Sequence, residues 1–409
     1  MKTSFFPHGI LSLFVCATLL LASACNKPGE KRPDPVRLDA TETANCYIVE
    51  QAGLYSFNAQ IRGNGKTVAG INIPASINPA DARLLWQSQK GFIDTLYLQE
   101  GNIVFRNSSG AAGNALIAAT DPDGHILWSW HIWNPGIEIQ ELKSQKGETF
   151  MSINLGALAD DPENPQSYGL LYQWGRKDPF PGSPTLTGTT STLPAPVYDL
   201  DGQEVAIGHS SYTSLDANTL QYAIENPTTC ISNMAQFSHS RDWLAEGSDK
   251  LWGNAPQEDG FTGKTMFDPS PAGWRLPDPE SFAFFTRNEG YCWTLEDFRV
   301  EDRDGNGSIG LEDYLNGWWF YLDSARNVSS WFPAAARYDG SYAMLMGSVS
   351  GLWGSYWSNA AYPNAITTGT AQAALSFSIK DQNGNEMITV SPVGSAAKAD
   401  AYSIRCMKE

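Results

Sequence analysis

Basic residues are scarce in this chain: 27 Lys and Arg stand against 44 Asp and Glu, a formal charge of -17. Neutralising a phosphate backbone takes clustered cations, so nucleic acid is excluded as a partner class. Long apolar runs are missing beyond the first 25 residues, and a spanning helix needs about 20 such residues. The simplest hydrolase signatures, Gly-x-Ser-x-Gly and His-Glu-x-x-His, do not occur. His125, His131, His209 and His239 fall at no metal-ligand spacing and read as core or surface residues. Cysteine is also sparse, at six residues. Cys46, Cys230, Cys292 and Cys406 are separated by 184, 62 and 114 residues, whereas a zinc site sets its ligands in pairs about two to four apart. In an exported chain four such cysteines are expected to form structural disulfides, with three connectivities open.

Export is what the first residues suggest. Lys2 precedes an apolar stretch from Ile10 to Ala22, and Ala22-Ser23-Ala24 leads into Cys25. Residues 1–24 read as a lipoprotein signal peptide and Cys25 as the site of lipidation, by which the protein is held at the outer membrane and the cell surface. Ala22 stands where such signals usually carry Leu, so ordinary cleavage after Ala24 stays open as the alternative. Residues 25–39, rich in Pro and charge and without apolar periodicity, read as a tether.

Aromatic residues are abundant, 14 Trp, 16 Tyr and 18 Phe, with 37 Gly and 24 Pro to make turns. Most of those rings are expected in a core, although such a composition also suits a binding face. Residues 40–148 read as short strands, 45–49, 53–57, 94–98, 103–105, 115–119 and 126–130, separated by turn signals such as Gly63-Asn64-Gly65 and Asp121-Pro122-Asp123-Gly124. That spacing predicts an N-terminal all-β sandwich. After a polar joint at 143–148 the chain becomes more irregular to residue 409, with candidate helices only at 281–287 and 241–246.

One local pattern carries chemistry. Asp302-Arg303-Asp304-Gly305-Asn306-Gly307-Ser308-Ile309-Gly310-Leu311-Glu312-Asp313 places oxygen-bearing side chains at loop positions 1, 3, 5 and 12 and Gly at 6, the calcium-loop pattern of an EF-hand. Asp302, Asp304 and Asn306 would coordinate through side chains, Ser308 through its carbonyl and Asp313 through its carboxylate. A single loop of this kind points to a structural calcium ion rather than a switch. An acidic surface turn without metal is the competing reading. Gly63-Asn64-Gly65-Lys66-Thr67 imitates a phosphate-binding loop, but Gln60 stands where that pattern needs Gly, so it reads as a turn. Asp160-Asp161-Pro162-Glu163 and Glu296-Asp297 read as solvated acidic faces.

Five stretches in order, Gly169 to Phe180, Asp268 to Pro277, Trp331-Phe332-Pro333-Ala334-Ala335, Tyr356-Trp357-Ser358-Asn359 and Ser403-Ile404-Arg405-Cys406, resemble the Fibrobacter succinogenes major paralogous domain of bacterial surface lipoproteins. Asn45 to Val49, Gly113-Asn114-Ala115 and Leu127 to Trp133 resemble the β-domain that often precedes it, including in fimbrium tip subunits. The resemblance implies a loop-rich α+β C-type-lectin-like domain over 149–409, carrying the calcium-type loop as an insertion. It further implies a non-catalytic binding or adhesion role, with an extracellular protein or glycan as ligand, pilin subunits as assembly partners and the membrane reached through the N-terminal lipid. Ser270 stands where family members usually carry Cys, which leaves Cys406 free or bridged to Cys230 or Cys292. The sugar-binding triplets of calcium-dependent lectins are absent. The alternatives are a carbohydrate-binding subunit of a polysaccharide uptake system and an enzyme on the fold of formylglycine-generating enzymes.

Overall fold

Apolar residues alternating with polar ones, interrupted every few residues by Gly, Asn, Asp or Pro, favour short paired strands over helices. The computed structural model describes residues 34–409 except 189, 211–215, 234–240, 254–262, 363–368 and 382. It is mostly β-sheet with almost no helix. The segment expected to be a signal peptide, Cys25, the expected tether up to residue 33 and His239 lie outside the described residues; the end of that expected tether is instead structured, Val36–Arg37 pairing as a strand with Tyr55 and Ser56.

Strands form at Cys46–Ile48, Gly53–Asn58, Thr95–Gln99, Asn102–Asn107, Gly113–Thr120 and Ile126–Asn134, and they belong to two sheets. The first runs in the order Val36–Arg37, Gly53–Asn58, Asn102–Asn107, Thr95–Gln99. The second runs Glu204–Val205, Val197–Tyr198, Asp81–Gln87, Gly113–Thr120, Ile126–Asn134, Cys46–Ile48. Aromatic rings join them: Tyr47 of the second sheet stacks on Phe57 of the first at 4.6 Å, and Phe57 meets Trp130 at 5.2 Å.

The second sheet does not follow the half-buried alternation of a free-standing sandwich. All eight residues of Gly113–Thr120 are buried, so both faces of that strand must be covered. The cover comes from beyond residue 148. Trp128 packs on Phe267 at 5.3 Å, and the Trp133 indole donates to the Ala157 carbonyl at 2.8 Å. The strand Val197–Tyr198 extends the same sheet, Tyr198 pairing with Gln87. The joint expected at 143–148 is therefore not a break in packing, and Pro35–Glu409 forms one compact unit.

A second core lies under the C-terminal strands. Phe285 stacks on Phe320 at 4.2 Å, and Phe332 sits edge-on to Phe285 and Phe320. Trp318, Tyr356 and Phe377 complete this cluster. Over it run the hairpin Gly317–Tyr321 and Ser329–Pro333 and the antiparallel strands Trp353–Ala361, Thr370–Lys380 and Glu386–Ser391. The helix expected at 281–287 is a single 3-10 turn, Ala283–Phe285. Phe282, Phe284 and Phe285 are all buried, which leaves no polar face for a surface helix. Residues 241–246 form no helix either, because Asp242, Trp243 and Leu244 run through the core. Among the described residues the α-helix is Leu220–Glu225, started by Thr219, whose hydroxyl accepts from the Tyr222 amide.

Candidate functional site

The 302–313 segment closes into a tight acidic loop. Asp302 Oδ1 accepts the amides of Gly305 (2.7 Å) and Asn306 (3.1 Å), and its Oδ2 accepts that of Gly307 (2.8 Å). These amides, Gly307 foremost, hold the Asp302 carboxyl below its ordinary range. Gly307 has φ +88°, a left-handed turn that glycine adopts freely. Asn306 Oδ1 accepts from the Ser308 amide at 2.8 Å and its hydroxyl at 2.6 Å. At the far end Asp313, 2% exposed, reaches back. Its Oδ1 accepts the Arg303 amide at 2.6 Å and its Oδ2 that of Gly310 at 2.9 Å. Carboxylate oxygens of Asp302, Asp304 and Asp313 lie within 4.8 Å of one another, a set that could hold a metal ion. The loop is flanked by the Val300 to Phe320 bridge on one side and the Gly317–Tyr321 strand on the other, not by helices. Its Ile309 packs on the second core.

Next to this loop lies a cleft of about 380 Å³. Glu301 and Arg303, on either side of Asp302, form part of its lining with Trp319, Ser329, Asp160 and Gln140. The Arg303 guanidinium lies 3.7 Å from the Trp319 ring centre and 3.2 Å from Glu301 Oε2. Glu301 also accepts the Ser329 hydroxyl. Asp160 and Gln140 stand exposed at the rim. Beneath the cleft is the fully buried Arg405. It donates to Asn154 Oδ1 (3.0 Å), the Ser152 carbonyl (2.5 Å), Ser330 Oγ (2.9 Å) and the Trp331 carbonyl (2.7 Å).

Residue order gave little hint of this convergence. Asp160, read as part of a solvated face, is exposed but also borders the cleft, while Glu296 and Asp297 belong to a 3-10 turn with no buried residue. Sequence reasoning also missed a buried triad. Lys177 Nζ lies 2.5 Å from Ser129 Oγ and from Asp178 Oδ1, and Ser129 donates to Asp178 at 2.6 Å. Burial pulls the lysine down to about 8. A serine beside such a lysine has the makings of a nucleophile, but all three side chains are buried. The adjoining cavity is about 10 Å³, room for one water at most. The triad ties the Ile126–Asn134 strand to the chain after Trp174.

Among the remaining sequence candidates Cys46 and Cys406 share one core cluster, and the others lie apart. Cys46, Cys230, Cys292 and Cys406 are buried free thiols rather than the bridges their number suggests. Cys230 and Cys292 lie in separate core clusters, and Cys406 Sγ is 3.5 Å from Ser270 Oγ. Burial pushes the thiols of Cys230 and Cys406 up to about 12, which disfavours thiolate chemistry. Gly63 to Gly65 make a turn pressed into the protein: a Cβ at Gly63 would sit 2.2 Å from the Met266 carbonyl. Asp121, Asp123 and His125 form a second acidic cluster on an exposed turn. No protein-family model matches the chain, and no curated protein or solved structure matches it either.

Proposed function

We propose that this protein is an exported cell-surface lipoprotein, anchored through Cys25, whose role is non-catalytic recognition. In this reading residues 149–409 are a C-type-lectin-like display domain of a fimbrium tip or accessory subunit, facing an extracellular protein or glycan. The observation that carries the reading is the cleft beside the 302–313 loop. Its walls come from segments as distant as Gln140 and Trp319 and are pinned by Arg303, Glu301 and the buried Arg405. A binding surface fixed before its ligand arrives loses less entropy on association. Anchoring is tested in the native bacterium: wild-type protein should fractionate with the outer membrane carrying palmitate label, and Cys25→Ser should lose both. A soluble, unlabelled wild-type protein would overturn the anchor.

Calcium is the ion we assign to the loop, held by Asp302, Asp304, Asn306, Ser308 and Asp313, because five hard oxygens suit it. Its role there is to brace the loop that carries Arg303. Calcium at about a hundred times its dissociation constant should stabilise the chelated protein by about 2.7 kcal/mol. The double variant Asp302→Ala, Asp304→Ala should show no such shift in thermal unfolding. An unchanged melting curve for the wild-type protein at millimolar calcium refutes the assignment.

The enzyme alternative would place Asp160 and Glu301 across a substrate. Glu301 is already committed to Arg303 and Ser329, which favours a binding wall over a free acid or base.

A further inference from the structure

We infer that the ligand of the cleft is a neutral saccharide of one or two rings, an assignment that rests on the recognition reading above and names its chemistry. Three observations carry it. The first is size: about 380 Å³ lies at the lower end of the range of small-ligand sites, about 300 to 1,000 Å³.

The second is the mixture of surfaces. Arg303 laid against Trp319 and tied to Glu301 makes a flat wall whose charges are mutually satisfied. The C–H face of a pyranose packs on such a wall without stranding a charge. Also in the lining, the Asp160 carboxylate and the Gln140 amide make no side-chain hydrogen bond among the described residues. One accepts and the other both donates and accepts, so together they suit vicinal hydroxyl groups.

The third is charge. Asp160 and Glu301 balance Arg303 and the Arg405 beneath the cleft, and both cations are already engaged, Arg303 by Glu301 and Arg405 by its buried acceptors, so no free cation awaits an anion in a chain of formal charge -17. Uronate, sulfate and sialic acid groups are disfavoured there. A cationic peptide would need acceptors only, whereas the Gln140 amide also presents a donor to the cleft.

The test titrates the intact mature protein with maltose, cellobiose, mannobiose, lactose and diacetylchitobiose, and with digalacturonate as the charged comparison, by calorimetry and saturation-transfer NMR. At least one neutral disaccharide should bind saturably, and digalacturonate should not. Asp160→Asn and Gln140→Ala, both at exposed positions, should each weaken binding about tenfold, the loss of a hydrogen bond to a desolvated hydroxyl. Trp293→Ala, which removes a 70% exposed ring outside the cleft, should leave affinity unchanged. Binding of none of the neutral sugars, or binding indifferent to both cleft variants, overturns the inference. If a purified protein ligand then binds and the cleft variants abolish it, the saccharide assignment falls and the recognition role stands. If the wild-type chain is also found unlipidated inside the cell, the recognition role falls as well.

Discussion

Replacing Arg405 by methionine should destabilise the protein by about 4 kcal/mol, the cost of stranding several buried acceptors at once. The side chain is 1% exposed, and its guanidinium donates to Asn154, Ser152, Ser330 and Trp331 while lying 4.2 Å from the Phe332 ring centre. Its acceptors come from the segment after Met151 and from the Ser329–Pro333 strand, so a single cation holds together parts of the chain nearly 180 residues apart. Burial lowers its pKa, but a guanidinium starts so high that it stays charged. Arg405→Lys tests whether charge or shape matters. Lysine keeps the charge but offers three donors from one atom, so it cannot span acceptors on opposite sides of the plane, and it should recover less than half of the loss. Urea denaturation with an unchanged m-value reads both variants. Two variants within about 1 kcal/mol of wild type would mean that the surrounding backbone finds water instead, and the hub would lose its role.

Arg405 also marks the limit of what could be read from residue order. Its tetrapeptide Ser403-Ile404-Arg405-Cys406 stood out as a motif, yet nothing local says that the arginine points inward under a cleft. Local signals worked where the cause was local. Turn residues and alternation located the strands of residues 40–148, and the 302–313 loop was legible because its oxygens and its Gly307 are spaced by the geometry of one turn. The expectation that most aromatic rings serve the core holds: ten of the fourteen Trp are buried. Asp81–Gln87 escaped because it opens on Asp81 and Arg83 and its alternation slips at a bulge between Leu84 and Trp86. Residues 115–119 are apolar throughout, but only the fold shows that both faces of their strand are covered and that the cover is the chain beyond residue 148. The cleft was illegible for the same reason, since Gln140, Asp160, Arg303 and Trp319 meet only in space.

Mild acid should weaken the protein through one histidine. His131 is 1% exposed, and its Nε2 lies 2.8 Å from Asn114 Oδ1. Asn114 is held in that orientation by its own amide, which donates to the Gly156 carbonyl at 2.8 Å, so the imidazole must carry its proton on Nε2. Its Nδ1 has no hydrogen-bond partner, and a second proton there would be a buried, unanswered charge. Desolvation accordingly lowers the folded pKa from 6.5 to about 3. Above pH 6.5 the imidazole is neutral in both states and contributes no pH dependence. Below it the unfolded chain takes up a proton that the folded chain refuses, so stability falls as pH drops from 6.5 towards 3. At about 1.4 kcal/mol per pH unit, the descent from pH 6.5 to 5 should remove about 2 kcal/mol. That interval lies above the range where ordinary carboxylates titrate. His125 acts in the opposite direction and elsewhere: Asp121 raises its pKa, so its contribution is fully present below 6.5 and fades at higher pH. In His131→Gln the amide can donate to Asn114 Oδ1 but cannot titrate, and its unfolding free energy should be nearly flat between pH 6.5 and 5. Equal slopes for wild type and variant over that interval would show that water reaches the Nδ1 side of the ring and that the core around Trp133 is not dry.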